Sequence, residues 1–124
     1  MAAKTVLVIE DEITLQALIQ MIVETAGYDP VVFGNGEQGL SWLREGHRPD
    51  IVFLDVSMPG KSGLQVLQEM QEAGLTETIP VVMLTGAADE KLMLRARQLG
   101  AKDILPKPFS PKQLVGQITK YLLP

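Results

Sequence analysis

Cysteine is absent from this 124-residue chain. That excludes a disulfide framework and a thiolate metal site, and it fits an intracellular home. Long apolar runs are missing too: none exceeds about five residues, far short of the ~20 that span a bilayer. No basic start leads into an apolar stretch and a small-residue cleavage site, so no signal peptide is expected and the expected location is cytoplasmic. Positive charge is scarce, with 11 Lys and Arg against 15 Asp and Glu and a net charge of −4. A nucleic-acid surface needs the opposite sign, so direct nucleic-acid binding is not expected. What remains is a chain 46% hydrophobic, of a length for one domain and large enough to bury roughly two-thirds of its unfolded surface.

Five apolar runs punctuate the sequence: Val6–Ile9, Val31–Phe33, Ile51–Leu54, Val81–Leu84 and Ile104–Leu105. The first, third and fourth show no alternation, the pattern of strands buried on both faces of a parallel sheet. Helical patterns separate them. Leu15, Leu18, Ile19, Ile22, Val23 and Ala26 form one apolar stripe, followed by Gly27 where a left-handed cap belongs. Asn35 with Gln38, Ser62 with Gln65, and Ser110 with Gln113 have capping-box spacing, and Pro111 suits a first helical position. A fourth helix is expected over roughly Ala88–Leu99, held by Leu92, Ala96 and Leu99. The last presents Leu114, Ile118, Tyr121 and Leu122 inward. Five βα units with right-handed crossovers predict an α/β, doubly wound, flavodoxin-like sheet of order 2-1-3-4-5 with helices on both faces. Residues 1–124 are expected to form one domain, either standing alone with protein contact as its output or belonging to a longer chain.

Ligands of such sheets bind beyond the carboxyl ends of the strands. The polar residues that follow the runs are Glu10, Asp11 and Glu12, then Asp55, then Thr85, then Lys107. The fold would gather these on one edge. Crowded carboxylates repel one another until protonated or joined by a cation, and an all-oxygen, open site suits Mg²⁺. A carboxylate beside such a cation can attack a phosphoryl group, giving an aspartyl phosphate, while Thr85 and Lys107 hold its oxygens. Asp55, central in the expected strand order, is the best nucleophile candidate, and Glu10 and Asp11 are the better metal ligands.

Each residue alone has a plainer explanation. An acidic cluster after a strand can be a solvated turn favouring the next helix's positive end; a lone Asp there is commonly a turn or cap residue; most lysines are surface charge. The coincidence of types at four strand ends is what carries weight. An aspartate-nucleophile phosphatase is an alternative, but it needs a second Asp two residues on, where Ser57 stands. A flavin-binding module would need a phosphate loop that Glu10, Asp11 and Glu12 would repel. A scaffold of the same fold that is never phosphorylated is a further alternative. The single histidine, His47, beside Arg48 and Pro49, reads as part of a solvated loop with no phosphotransfer role, and Met83 and Met93 read as packing residues.

The segments Val6–Glu12, Asp55-Val56-Ser57-Met58-Pro59-Gly60 leading to Gly63, Leu84-Thr85-Gly86, Gly100-Ala101 and Lys107-Pro108-Phe109 resemble the receiver domain of two-component response regulators, in its stand-alone, chemotaxis-Y-like form. The resemblance covers essentially the whole chain. It implies that Asp55 accepts a phosphoryl group from a sensor histidine kinase or a histidine phosphotransfer protein. It implies Mg²⁺ held by Asp11, Asp55 and the main-chain carbonyl of Ser57, with Glu10 acting largely through water. Thr85 and Lys107 would contact the phosphoryl oxygens, and the Lys107–Pro108 peptide would be cis. A downstream protein would bind the surface of the fourth helix, fifth strand and fifth helix.

Two departures from the family pattern stand out. Where a Tyr or Phe usually couples to the Thr hydroxyl, this chain has Ile104, so switching is expected to run through loop and helix shifts with a smaller population change. Two residues after Thr85 sits Ala87, which has no polar group to orient water, and a fairly long-lived phosphoaspartate is expected.

Overall fold

The computed structural model describes residues 3–123. Five strands alternate with five helices: β1 (Thr5–Ile9), α1 (Ile13–Thr25), β2 (Asp29–Phe33), α2 (Gly36–Arg44), β3 (Ile51–Asp55), α3 (Gly63–Glu72), β4 (Val81–Thr85), α4 (Glu90–Gln98), β5 (Asp103–Pro106) and α5 (Pro111–Leu122). A short 3₁₀ turn, Leu75–Glu77, follows α3. All strand pairings are parallel and the order is β2-β1-β3-β4-β5. This is the doubly wound arrangement expected from the sequence.

The unalternating runs are explained by two separate cores. On one face Leu7, Ile9, Val52, Leu54, Val81 and Met83 pack with residues of α2, α3 and α4, among them Leu40, Leu43, Leu67, Met70 and Ala96. On the other, Val6, Val8, Ile51, Phe53, Val82 and Leu84 pack with Ile19, Val23, Leu114 and Ile118 of α1 and α5. Side chains alternate along a strand, so a strand between two apolar layers must be apolar at every position.

The helix ends follow local chemistry. Ser62 and Ser110 form complete capping boxes with Gln65 and Gln113. Asn35 accepts from the Gln38 amide, without a reciprocal bond. Gly27 has φ +92°, a left-handed conformation that glycine adopts without a Cβ penalty. Two members of the expected α1 stripe lie in solvent: Leu18 is 40% exposed and Ala26 is also exposed. The buried residues of the helix are Ile19, Ile22 and Val23. Leu18 stands one residue, about 100° of helical turn, from Ile19, and Ala26 is already the C-terminal cap. Helix α4 begins two residues later than expected because the Asp89 side chain caps it, accepting from Leu92 N at 2.8 Å.

Candidate functional site

The carboxyl ends of β1, β3, β4 and β5 converge on one open cleft of about 520 Å³. It is lined by Glu10, Asp11, Glu12, Asp55, Ser57, Thr85, Gly86, Ala87 and Lys107. Every strand-end residue singled out from the sequence therefore borders the same space. Ile104 does not; it is half-buried and packs against the core beneath α2–α4.

Three carboxylates meet at the centre. One oxygen from each of Glu10, Asp11 and Asp55 lies within 4.8 Å of the others. Glu10 and Asp55 are buried, at 0% and 3% exposure. The Lys107 ammonium reaches in between them, 2.8 Å from Glu10 Oε1 and 3.1 Å from Asp55 Oδ1. At Glu10 Oε1 the approach has ion-pair distance without hydrogen-bond geometry, which leaves a buried acceptor with no hydrogen-bond partner. Burial pushes the Asp55 carboxyl up to about 6; the Glu10 charge pushes the same way, and Lys107 pulls against both. Burial draws the Lys107 ammonium down, but its two carboxylate partners outweigh that and leave its pKa raised.

Local structure fixes each side chain. Asp55 ends β3, and its Oδ1 accepts weakly from Ser57 N at 3.4 Å. Helix α3 starts so close behind it that a Cβ on Gly63 would lie 2.1 Å from the Asp55 carbonyl oxygen. Only glycine allows that approach. Lys61, in the loop between them, is tied to Glu37 of α2 at 2.7 Å and to Glu69 of α3, and Arg44 of α2 reaches Glu69 at 2.7 Å. The loop that presents Ser57 is thereby anchored to two helices. Thr85 Oγ1 accepts from Ala87 N at 3.1 Å, which leaves its own proton free to donate. Lys107 N donates to Thr85 O at 2.7 Å, and the Lys107–Pro108 peptide is cis.

One contact was not legible in the sequence. Gln16, in the first turns of α1, donates from Nε2 to the Glu10 carbonyl oxygen at 2.5 Å. Glutamine on an otherwise amphipathic helix carries no signal that distinguishes a tether from a solvated side chain.

The all-oxygen donor set, its crowding of like charges and the spare buried acceptor at Glu10 fit a hard divalent cation. The family model described as "Response regulator receiver domain" matches residues 6–119. The chain is a response regulator receiver domain. As such it is a signalling module of two-component systems, of the kind whose role is to accept a phosphoryl group. The receiver is 37% identical over 116 residues to the phosphate regulon transcriptional regulatory protein PhoB of Escherichia coli, covering 94% of this chain and 50% of PhoB. It is 35% identical over 114 residues to the DNA-binding response regulator MtrA of Mycobacterium leprae, covering 91% and 48%. The receiver thus spans about half the length of the curated relatives it matches. Among solved structures, the chemotaxis protein CheY4 of Vibrio cholerae superposes with a TM-score of 0.90 at 25% identity, covering 98% of this chain and all of that one. A response regulator receiver domain protein of Clostridium thermocellum gives 0.86 at 28% identity, with 96% and 94% covered.

Proposed function

We propose that Asp55 is the phosphoacceptor, and that Thr85 and Lys107 hold the incoming phosphoryl oxygens. The observation that carries this is the burial of Asp55 at the end of the central strand, against Glu10, Asp11 and a lysine ammonium. A carboxyl with a pKa near 6 is mostly ionised at neutral pH, so it can act as a nucleophile. An Asp55 oxygen forms a bond to phosphorus as the donor's bond to phosphorus breaks. The donor's leaving group, an imidazole nitrogen or a carboxylate, departs with that electron pair. Lys107 Nζ, 3.1 Å from Asp55 Oδ1, would hold one phosphoryl oxygen. Thr85, whose oxygen is engaged by Ala87 N, donates its hydroxyl proton to another.

Glu10, Asp11, Asp55 and the Ser57 carbonyl would hold Mg²⁺, with Glu10 acting largely through water, and the ion would offset the negative charge that accumulates on the transferring group. The chain's own part is to keep the carboxylates gathered and the cleft open to the donor.

The donor is a sensor histidine kinase or a histidine phosphotransfer protein. Such a macromolecule must cover the mouth of the cleft, and α1 beside it exposes Ile13, Leu18 and Met21 at 79%, 40% and 60%. Leu15 and Leu18 also share an apolar hollow with Lys107, Pro108 and Phe109. That face suits donor docking. Output is proposed to pass to a downstream protein through the surface of α4, β5 and α5. Ile104, half-buried in the core on that side, stands where the family's coupling aromatic usually is, so the signal passes through loop and helix shifts. Residues 1–124 act as one receiver unit in the cytoplasm, without direct nucleic-acid contact; no described helix is long and apolar enough to cross a membrane.

Intact-mass spectrometry after incubation with Mg²⁺ and acetyl phosphate tests the assignment. The parent should gain one phosphate and the Asp55→Asn variant none. Equal labelling of the variant would overturn it.

A further inference from the structure

The acidic cluster is held together against its own repulsion, and the loop that carries two of its members has few restraints. Between β1 and α1 the chain runs through Glu10, Asp11 and Glu12. Glu10 N continues the sheet by donating to Phe33 O at 3.0 Å, and Glu12 N donates back to Glu10 Oε2 at 3.0 Å. The Glu10 carbonyl lies past the last strand residue. Its partner is the Gln16 side-chain amide, at 2.5 Å.

That one bond fixes the orientation of the peptide plane joining Glu10 to Asp11, and so the direction in which Asp11 leaves the chain. Gln16 is itself confined. It is half-buried, its own backbone N–H is engaged by Glu12 O at 2.9 Å, and a Cβ on Gly34 would lie 3.3 Å from its Nε2. The amide therefore sits wedged between the turn after β1 and the turn after β2. Without it, mutual repulsion among Glu10, Asp11 and Asp55 has a soft coordinate to act on, the rotation of the Glu10–Asp11 peptide.

We propose that Gln16 is a positioning residue for the cation site: its amide pins the Glu10 carbonyl and keeps the Asp11 carboxylate aimed at Asp55 in the absence of metal. This rests on the reading of the acidic cluster as a divalent-cation site. Gln16 touches neither the phosphoryl group nor the cation; it lowers the reorganisation needed before Asp11 can take part.

The test uses the whole chain with Gln16→Met, which keeps length and loses the donor, and Gln16→Lys, which restores a donor. Mn²⁺ binding is followed by the free-ion electron paramagnetic resonance signal, and Mg²⁺ by competition. Loss of one ordering hydrogen bond should weaken Mn²⁺ and Mg²⁺ roughly three- to tenfold in Gln16→Met, with recovery in Gln16→Lys. In metal-free protein the Glu12 amide should exchange faster in Gln16→Met. The Mg²⁺ concentration for half-maximal phosphorylation by acetyl phosphate should rise by the same factor, while the rate at saturating Mg²⁺ stays within twofold of the parent. A merely structural loss would lower the saturating rate or the melting temperature and leave the half-saturation point unmoved, which would overturn the proposal. So would cation affinity in Gln16→Met within 1.5-fold of the parent. A parent that binds no divalent cation would overturn the site reading together with the role of Gln16.

Discussion

Asp55→Asn should make the metal-free protein more stable at neutral pH, not less. In the parent, burial with Glu10 close by raises the Asp55 pKa from 3.8 to about 6. The folded state therefore binds more protons than the unfolded state between those two values, and stability falls as pH rises through that window. Below it Asp55 is neutral in both states and the cost vanishes; above it the full cost of the buried charge is present. A rise of about two pKa units corresponds to about 3 kcal/mol, and Asn, never charged, escapes it. For a domain of this size that is roughly 10 °C in melting temperature. Urea unfolding in chelator-treated buffer from pH 4 to 8, followed by circular dichroism, measures it. Circular dichroism reads the backbone directly, whereas the fluorescence of Trp42 also depends on its stacking against His47 at 4.5 Å. The lowered pKa values of Asp103 and Glu69 work in the opposite sense, stabilising above the usual carboxylate range, but they are common to both proteins and cancel in the difference. The advantage of Asp55→Asn should be near zero at pH 4 and largest above pH 7. A variant no more stable than the parent at pH 7, or an advantage that does not shrink towards pH 4, refutes the reasoning.

Lys107→Met should lower phosphorylation by acetyl phosphate at least tenfold and cost up to about 3 kcal/mol in stability, since it strips a counter-ion from two buried carboxylates; single-turnover labelling and urea unfolding check the two effects, and unchanged labelling would remove Lys107 from the phosphoryl site. Leu18→Asp should impair transfer from a phosphohistidine protein more than tenfold while leaving acetyl phosphate labelling within twofold, and equal loss with both donors would show that α1 is not a docking face. Gly63→Ala should destabilise by about 1–3 kcal/mol through the clash with the Asp55 carbonyl, read by thermal unfolding; a neutral result would mean that α3 can retreat freely. Phosphorylated protein freed of donor should hold its label for minutes or longer because Ala87 offers no group to orient water, and complete loss within seconds would contradict that.

The fold was legible because its signal is redundant. Each central strand is apolar throughout the stretch that crosses both cores, Val6–Ile9, Ile51–Leu54 and Val81–Leu84, and three helices start at caps that local residues specify, Asn35, Ser62 and Ser110. The gathering of the acidic, hydroxyl and ammonium groups was legible for a topological reason: parallel strands deliver their following residues to one edge. What escaped the sequence depends on angles finer than a residue type. Leu18 and Ile19 are equally apolar, and only the seating of α1 decides which faces the sheet. Asp89 had to be seen with its carboxylate on Leu92 N before the start of α4 could be placed. The anchoring of the β3–α3 loop by Lys61 depends on three side chains from distant segments, and Gln16 on the direction of a single carbonyl.

The two cores have a consequence for how such a sequence can drift. Val81 and Val82 are neighbours in the chain, yet one belongs to the layer under α2–α4 and the other to the layer under α1 and α5. A volume lost at Val81 can be made good at Met70 or Met83, never at Val82, because an interior tolerates exchange only where total volume is kept. Replacements should therefore be correlated within a face and independent between successive residues of a strand. One layer can be rebuilt to suit a new binding partner while the other keeps the sheet, and with it the spacing of the acidic cleft, unaltered.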